Sequence, residues 1–176
     1  MRIKVQRAEK EATSLGSVID SLLRFARPMS IEASRVELGA LTRDVVSRLE
    51  TFAGDVRINI HGSGEAMADG SLLGRAIENV VRNAIDAVRE RGADGRVDIA
   101  ISENPPAITV SDNGVGLDEE IAGRLFMPFQ SRKPHGLGLG LPLARKIVLL
   151  HSGEIRIESA TGEGARVTIE LPRPPP

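Results

Sequence analysis

The sequence predicts an α/β sandwich in two layers: one mixed β-sheet, covered on one face by helices and preceded by a long amino-terminal helix. Three observations predict it. Segments of helical apolar periodicity interleave irregularly with segments that alternate with period two. The two closing strands are joined by the short turn Thr161-Gly162-Glu163-Gly164, which fits a hairpin. The 176 residues, 41% of them hydrophobic, suffice for one core without disulfide staples.

Residues 5–26 read as an amphipathic arm, with Ala8, Ala12, Leu15, Val18, Ile19, Leu22, Phe25 and Ala26 recurring at three- and four-residue intervals until Pro28 stops the pattern. Such an arm packs on its own domain or pairs with a helix of another chain. The expected division is therefore an arm at 1–27, a linker at 28–34, a main domain at 35–173 and an extended tail at 174–176. Leu38 to Phe52 is expected to be helical, and alternation at Val56, Ile58 and Ile60 marks a strand ending near Gly62. A long helix from about Gly70 to Arg91 leads into strands at Arg96–Ser102 and Ala107–Ser111. A glycine-rich loop with a short helix follows, then a helix near Leu139–Leu150 and strands at Glu154–Glu158 and Ala165–Leu171.

Composition narrows the function. A net charge of -1 argues against nucleic acid as a partner, and zero cysteines exclude disulfides and thiolate metal sites. No stretch approaches the roughly 18 apolar residues of a membrane span, and MRIKVQRAEKEA is too charged for a signal peptide. A soluble, cytoplasmic segment making no membrane contact is expected.

The chemistry concentrates in three places. On the long helix, Leu73, Ala76, Ile77, Val80, Ala84 and Val88 share one face at about 100° per residue. Asn83 falls at the edge of that face, with Asn79 one turn before it and Asp86 one turn after, a flank able to hold Mg²⁺ together with phosphate oxygens and water. Taken alone, the same residues read as ordinary solvated edge positions. Asp112 ends a strand just before Gly114 and Gly116, where a carboxylate is placed to accept from an exocyclic amine; alone it reads as an Asp-Asn-Gly turn. Gly136, Gly138 and Gly140 precede an apolar helix, so loop amides and the helix start face an anion; alone they read as a hinge. The ordered set points to a nucleotide site, and to ATP.

Together these segments resemble the catalytic and ATP-binding domain of a bacterial sensor histidine kinase, with its Bergerat (GHKL) fold. That superfamily also includes type II topoisomerases and the chaperone and mismatch-repair ATPases. ENVVRNAIDAV stands as the N box, DNGVGL as the first glycine box, RLFMPF as the F box and GLGLGL as the second glycine box, within a match from about Ser34 to Leu171. The resemblance implies that Asn83 ligates Mg²⁺, Asn79 helps hold the phosphates and Asp112 bonds the adenine amine. Gly114 and Gly116 would shape the base pocket, and Gly138 and Gly140 would admit the triphosphate. Phe126, Pro128 and Phe129 would anchor a lid, Lys133 would contact a phosphate, and Asp86, Leu117, Arg132, Gly136, Leu137 and Leu139 would flank the nucleotide. Leu137 stands where the family more often has Thr or Ser, and Arg132 replaces one Thr of the lid's Thr-Thr-Lys run.

Hydrolytic members of the superfamily carry a Glu four residues before the magnesium Asn, as general base for water. This chain has Asn79 there, and an amide cannot take that proton. The neighbouring Glu78 sits about 100° around the helix and is expected to point away. EATSLGSVIDSLLRFARP resembles the second helix of the family's dimerisation and phosphoacceptor hairpin, and none of His61, His135 and His151 lies in an acceptor context. The resemblance thus implies phosphoryl transfer from ATP to a histidine outside these residues, within a homodimeric parent that can be membrane-anchored and that passes the phosphate to a response regulator. Two other readings stand beside it: a regulatory module that binds ATP without phosphotransfer, and a free-standing ATPase or protein serine kinase of the same fold.

Overall fold

In a computed structural model of the chain, residues 28–92, 94–118, 124–130 and 137–173 are described, with Gly16, Leu23 and Ile121 singly. The amphipathic stripe of the arm, the lid positions Arg132, Lys133 and Gly136, and His135 lie outside the described residues, as does the tail at 174–176.

Alternation decides which way the sheet faces. In β4 (Arg96–Glu103) Val97, Ile99 and Ile101 are buried while Arg96 and Ser102 are exposed. In β5 (Pro106–Asp112) Ile108 and Val110 take the buried side, and Asp112, two residues on, projects toward the same layer. With β2 (Arg57–Gly62), β6 (Glu154–Ala160) and β7 (Gly164–Glu170) they form a five-stranded sheet in the order β2-β4-β5-β7-β6. Only the β2–β4 pair is parallel; the other pairs are antiparallel, so the sheet is mixed as expected. The outer face is polar: Asn59 donates to Asp98, and the hydroxyls of Thr109 and Thr168 meet across β5 and β7.

Among the described residues three helices cover the inner face: α1 (Leu38–Ala53), α2 (Gly70–Arg91) and α3 (Gly140–Leu150). The face expected on α2 is the one buried: Leu73, Ala76, Ile77, Val80, Ala84 and Val88 all belong to the core. α2 lies between the other two helices, with Gly74 against Leu41 and Val45 of α1 and Gly140 against Asn79 on the α3 side.

Just after the linker, the domain holds a strand pairing that the sequence did not predict. β1 (Ser34–Glu37) pairs antiparallel with β3 (Glu65–Ala68) in a separate two-stranded ribbon. This ribbon delivers both N-caps: Glu37 accepts from Gly39 and Ala40 at the start of α1, and Asp69 accepts from Leu72 at the start of α2. Asp69 also accepts from the Glu32 amide at 3.2 Å, fixing the linker to the helix layer. These bonds, first that from Leu72, hold its carboxyl below the ordinary value of 3.8. The stabilisation is therefore present above that value and is lost as pH falls through the lowered one. Asp69→Ala is expected to cost about 1–2 kcal/mol at neutral pH by urea unfolding, the scale of a lost N-cap, and to cost progressively less in acid.

Candidate nucleotide site

The two faces of α2 on either side of its buried stripe carry different chemistry. Glu78 forms an ion pair with Arg82 at 3.7 Å, and the Arg82 guanidinium lies 4.1 Å from the centroid of the Phe52 ring on α1. Asn79 faces the α3 side: its amide nitrogen donates to the Arg75 carbonyl at 2.7 Å, and its Oδ1 lies so near Gly140 that a Cβ there would come within 2.9 Å. Glu78 is thus committed to the α1 flank and Asn79 to the start of α3. Asn83 and Asp86 follow, both half-buried.

Asp112 closes the other end of the site. Its Oδ1 accepts from the Gly114 amide at 2.8 Å, which curls the chain directly out of β5. Burial raises its carboxyl above the ordinary value, against the lowering effect of hydrogen bonds from Gly114 and Ala165. The loop then lies on α2: Val115 donates to the Ala87 carbonyl, and a Cβ on Gly114 would sit 2.6 Å from the Ala87 carbonyl carbon.

Several of the glycines also have close protein neighbours. Gly116, at φ +65°, would place a Cβ 2.0 Å from the Ala160 carbonyl oxygen, and Gly138, at φ +64°, would place one 2.4 Å from that of Gln130. The first glycine box is thus clamped between α2 and the β6–β7 hairpin, and its shape follows from that clamp.

Several residues that build this clamp were not singled out from the sequence. Arg91, in the last turn of α2, donates to the carbonyls of Asn113 at 2.7 Å and Gly162 at 3.2 Å. Ser159 accepts from the Leu117 amide and donates to the Gly164 carbonyl. Basic residues near a helix C-terminus are common, so Arg91 carried no distinguishing signal.

At the lid side, Phe126 packs against the core and lies beneath Arg145, 5.9 Å from its ring centroid. With Pro128 it lines a groove of about 440 Å³ along Pro142, Arg145, Lys146, Leu149 and Leu150. Phe129 is placed differently from Phe126. Its backbone turns left-handed, φ 66°, and the ring is 63% exposed. Leu139 is buried at the N-cap of α3, so its side chain serves the core; Leu117 and Leu137 are half-buried. The first turn of α3 presents the Gly140 and Leu141 amides, since Pro142 has none. Among the described residues no group of three or more His, Cys, Asp or Glu is placed to hold a metal, and no helix is long and apolar enough to cross a membrane.

Comparison with known proteins agrees with this fold. Residues 68–175 match the family described as histidine kinase-, DNA gyrase B-, and HSP90-like ATPase. The chain is 33% identical over 168 residues to the signal transduction histidine-protein kinase AtoS of Escherichia coli, covering 93% of this chain and 28% of AtoS. It is 30% identical to sporulation kinase C of Bacillus subtilis, covering 92% of this chain and 39% of that kinase. The chain therefore spans well under half the length of these relatives. Among solved structures, the mycobacterial sensor histidine kinase MprB is similar at a TM-score of 0.71 and 26% identity, with 81% of this chain and 99% of that chain aligned. The catalytic domain of histidine kinase ThkA gives 0.64 and 26%, with 81% and 96% aligned.

Proposed function

The chain belongs to the histidine kinase-, DNA gyrase B-, and HSP90-like ATPase family, and on that premise we propose that it is the Mg²⁺-ATP-binding catalytic portion of a sensor histidine kinase. It transfers the γ-phosphoryl group to a histidine of a phosphoacceptor hairpin outside this sequence, in a dimeric parent that then serves a response regulator. The observation that carries this reading is the pairing of positions 78 and 79. The position that activates water in hydrolytic relatives is an amide wedged against α3, and the adjacent carboxylate is tied to Arg82 on the opposite flank. Without a base, water attack is slow, whereas transfer to an imidazole needs mainly positioning and charge neutralisation.

The residues fit the roles. Asp112 is a buried acceptor for an exocyclic amine, and the Gly140 and Leu141 amides at the start of α3 suit phosphate oxygens. Asn83 offers one amide oxygen on the same side of α2, the sparse protein contribution that Mg²⁺ accepts when phosphates and water complete its shell. When bound, Mg²⁺ neutralises charge on the phosphate oxygens. In the transfer the bond from the γ-phosphorus to the bridging oxygen breaks, a phosphorus–nitrogen bond forms to the acceptor imidazole, and ADP leaves.

With γ-labelled ATP and a cognate acceptor hairpin supplied in trans, acid-labile label is expected on the hairpin histidine. Asn83→Ala should reduce it by about two orders of magnitude, the scale for losing one preorganised contact to the reacting group. Saturable binding with no labelling would favour a regulatory module. Rapid phosphate release without acceptor, abolished by Asn79→Ala, would favour an ATPase.

A further inference from the structure

Among the described residues the buried polar side chains are Thr42, satisfied within its own helix by the Leu38 carbonyl, and His151, which is not explained locally. The His151 ring is 6% exposed and bridges two elements distant in sequence. Its Nε2 accepts from the Asp69 backbone amide at 2.9 Å, so Nδ1 carries the ring proton and donates to the Ile147 carbonyl at 2.8 Å. The ring is thereby a stiff extension of the C-terminus of α3, fastened to the N-cap of α2. Asp69 is itself held by Leu72 and by Glu32 of the linker.

We propose that His151 is a positioning residue that sets the axial register of α3 against α2, and through it the placement of the phosphate-facing start of α3 relative to Asn79 and Asn83. This deepens the nucleotide-site reading and rests on it. The two helices run antiparallel, since His151 meets Asp69 at one end and Gly140 meets Asn79 at the other. At 1.5 Å per residue these contacts lie about 15 Å apart along α2 and about 16 Å along α3, so a fixed point at His151 fixes the other end. Between these two contacts, Ala144, Ile147 and Val148 of α3 are buried in the apolar core. Apolar contact is non-directional and tolerates small axial offsets, while a hydrogen bond weakens steeply as its geometry departs from ideal. The adenine end is held separately, by Asp112 on β5, and does not depend on α3.

The test is calorimetric titration of the full chain with Mg²⁺-ATP and with adenosine, in the unaltered protein, His151→Leu and His151→Gln. In His151→Leu the Mg²⁺-ATP affinity is expected to fall about tenfold, one hydrogen bond's worth, with adenosine affinity unchanged. His151→Gln, whose amide oxygen reaches the Asp69 amide, should restore most of the loss. Equal losses for both ligands, or no loss, would overturn the proposal. Hydrogen exchange without ligand gives a second reading: Leu143 and Ala144 amides should exchange faster in His151→Leu while Val80 and Val81 amides do not, and unchanged exchange at 143 and 144 would overturn the proposal equally. If the unaltered chain binds neither ligand, the nucleotide reading fails and exchange alone decides the register. Should His151→Leu not fold, His151→Asn takes its place, keeping the bond to Ile147 but falling short of Asp69.

Discussion

Asp112→Ala is expected to weaken Mg²⁺-ATP binding about 30- to 100-fold, measured by titration calorimetry, because a hydrogen bond to a charged group in a buried site contributes about 2–3 kcal/mol. The carboxylate stands at the end of β5 on the helix-facing side, oriented by the Gly114 amide at 2.8 Å. Unchanged affinity would mean that adenine is recognised elsewhere. The same variant should show a second effect without ligand. Burial raises the Asp112 carboxyl above its unfolded value of 3.8, so the folded state binds more protons than the unfolded chain between those two values. Ionising Asp112 therefore costs stability as pH rises through that window, and the cost persists above it. Asp112→Ala removes the cost, so its Tm should gain on that of the unaltered protein as pH is raised from acid to neutral. A Tm difference that stays flat across this range would show that burial does not act on Asp112 in this way. The acid is retained, on this account, for recognition rather than for folding.

Gly116→Ala is expected to be among the most damaging single-methyl changes in the site. The left-handed backbone alone costs an alanine about 1 kcal/mol, and the new Cβ would meet the Ala160 carbonyl oxygen at 2.0 Å, a contact relieved only by moving the β6–β7 hairpin. The combined loss should be about 3 kcal/mol or more, read by urea unfolding, with nucleotide binding lost because the loop from Asp112 to Leu117 moves with the hairpin. Alanine at Gly92 gives the contrast: its φ is also positive, 103°, but nothing lies within 4 Å of the added carbon, so only the backbone strain is incurred. Equal losses at both positions would show that strain, not the hairpin contact, dominates at Gly116.

The elements legible in the sequence are those whose pattern is local. The α2 stripe from Leu73 to Val88 repeats through several turns, and Val97, Ile99 and Ile101 alternate cleanly, so helix, strand and buried face were all readable. The β1–β3 ribbon escaped because each strand has four residues, β3 offers only the small Ala66 and Ala68 as buried positions, and the pairing of Ser34 with Ala68 crosses a helix and a strand. The site residues were named by motif, and the structure brings Asn79 to Gly140 and Asp112 to Gly114. Their supports were not legible, because His151 and Arg91 act through partners far away in the chain. Phe129 is equivalent to Phe126 by type and spacing, but the chain turns left-handed at 129 and its ring is exposed, whereas Phe126 is half-buried.

The ribbon and its Asp69 tether also bear on where this protein can be cut. The match to the family model begins at residue 68, but the folded unit begins earlier. A fragment started at 68 would lack β1, α1, the edge strand β2 and nearly all of β3, and with them Leu38, Val45 and Leu49, which are buried in the same core as α2. The flank of α2 at Gly74, covered by Leu41 and Val45, would then face water. Such a fragment would keep the motif residues yet be prone to aggregate, whereas one begun at Pro28 keeps the ribbon, both helix caps and the Glu32 amide.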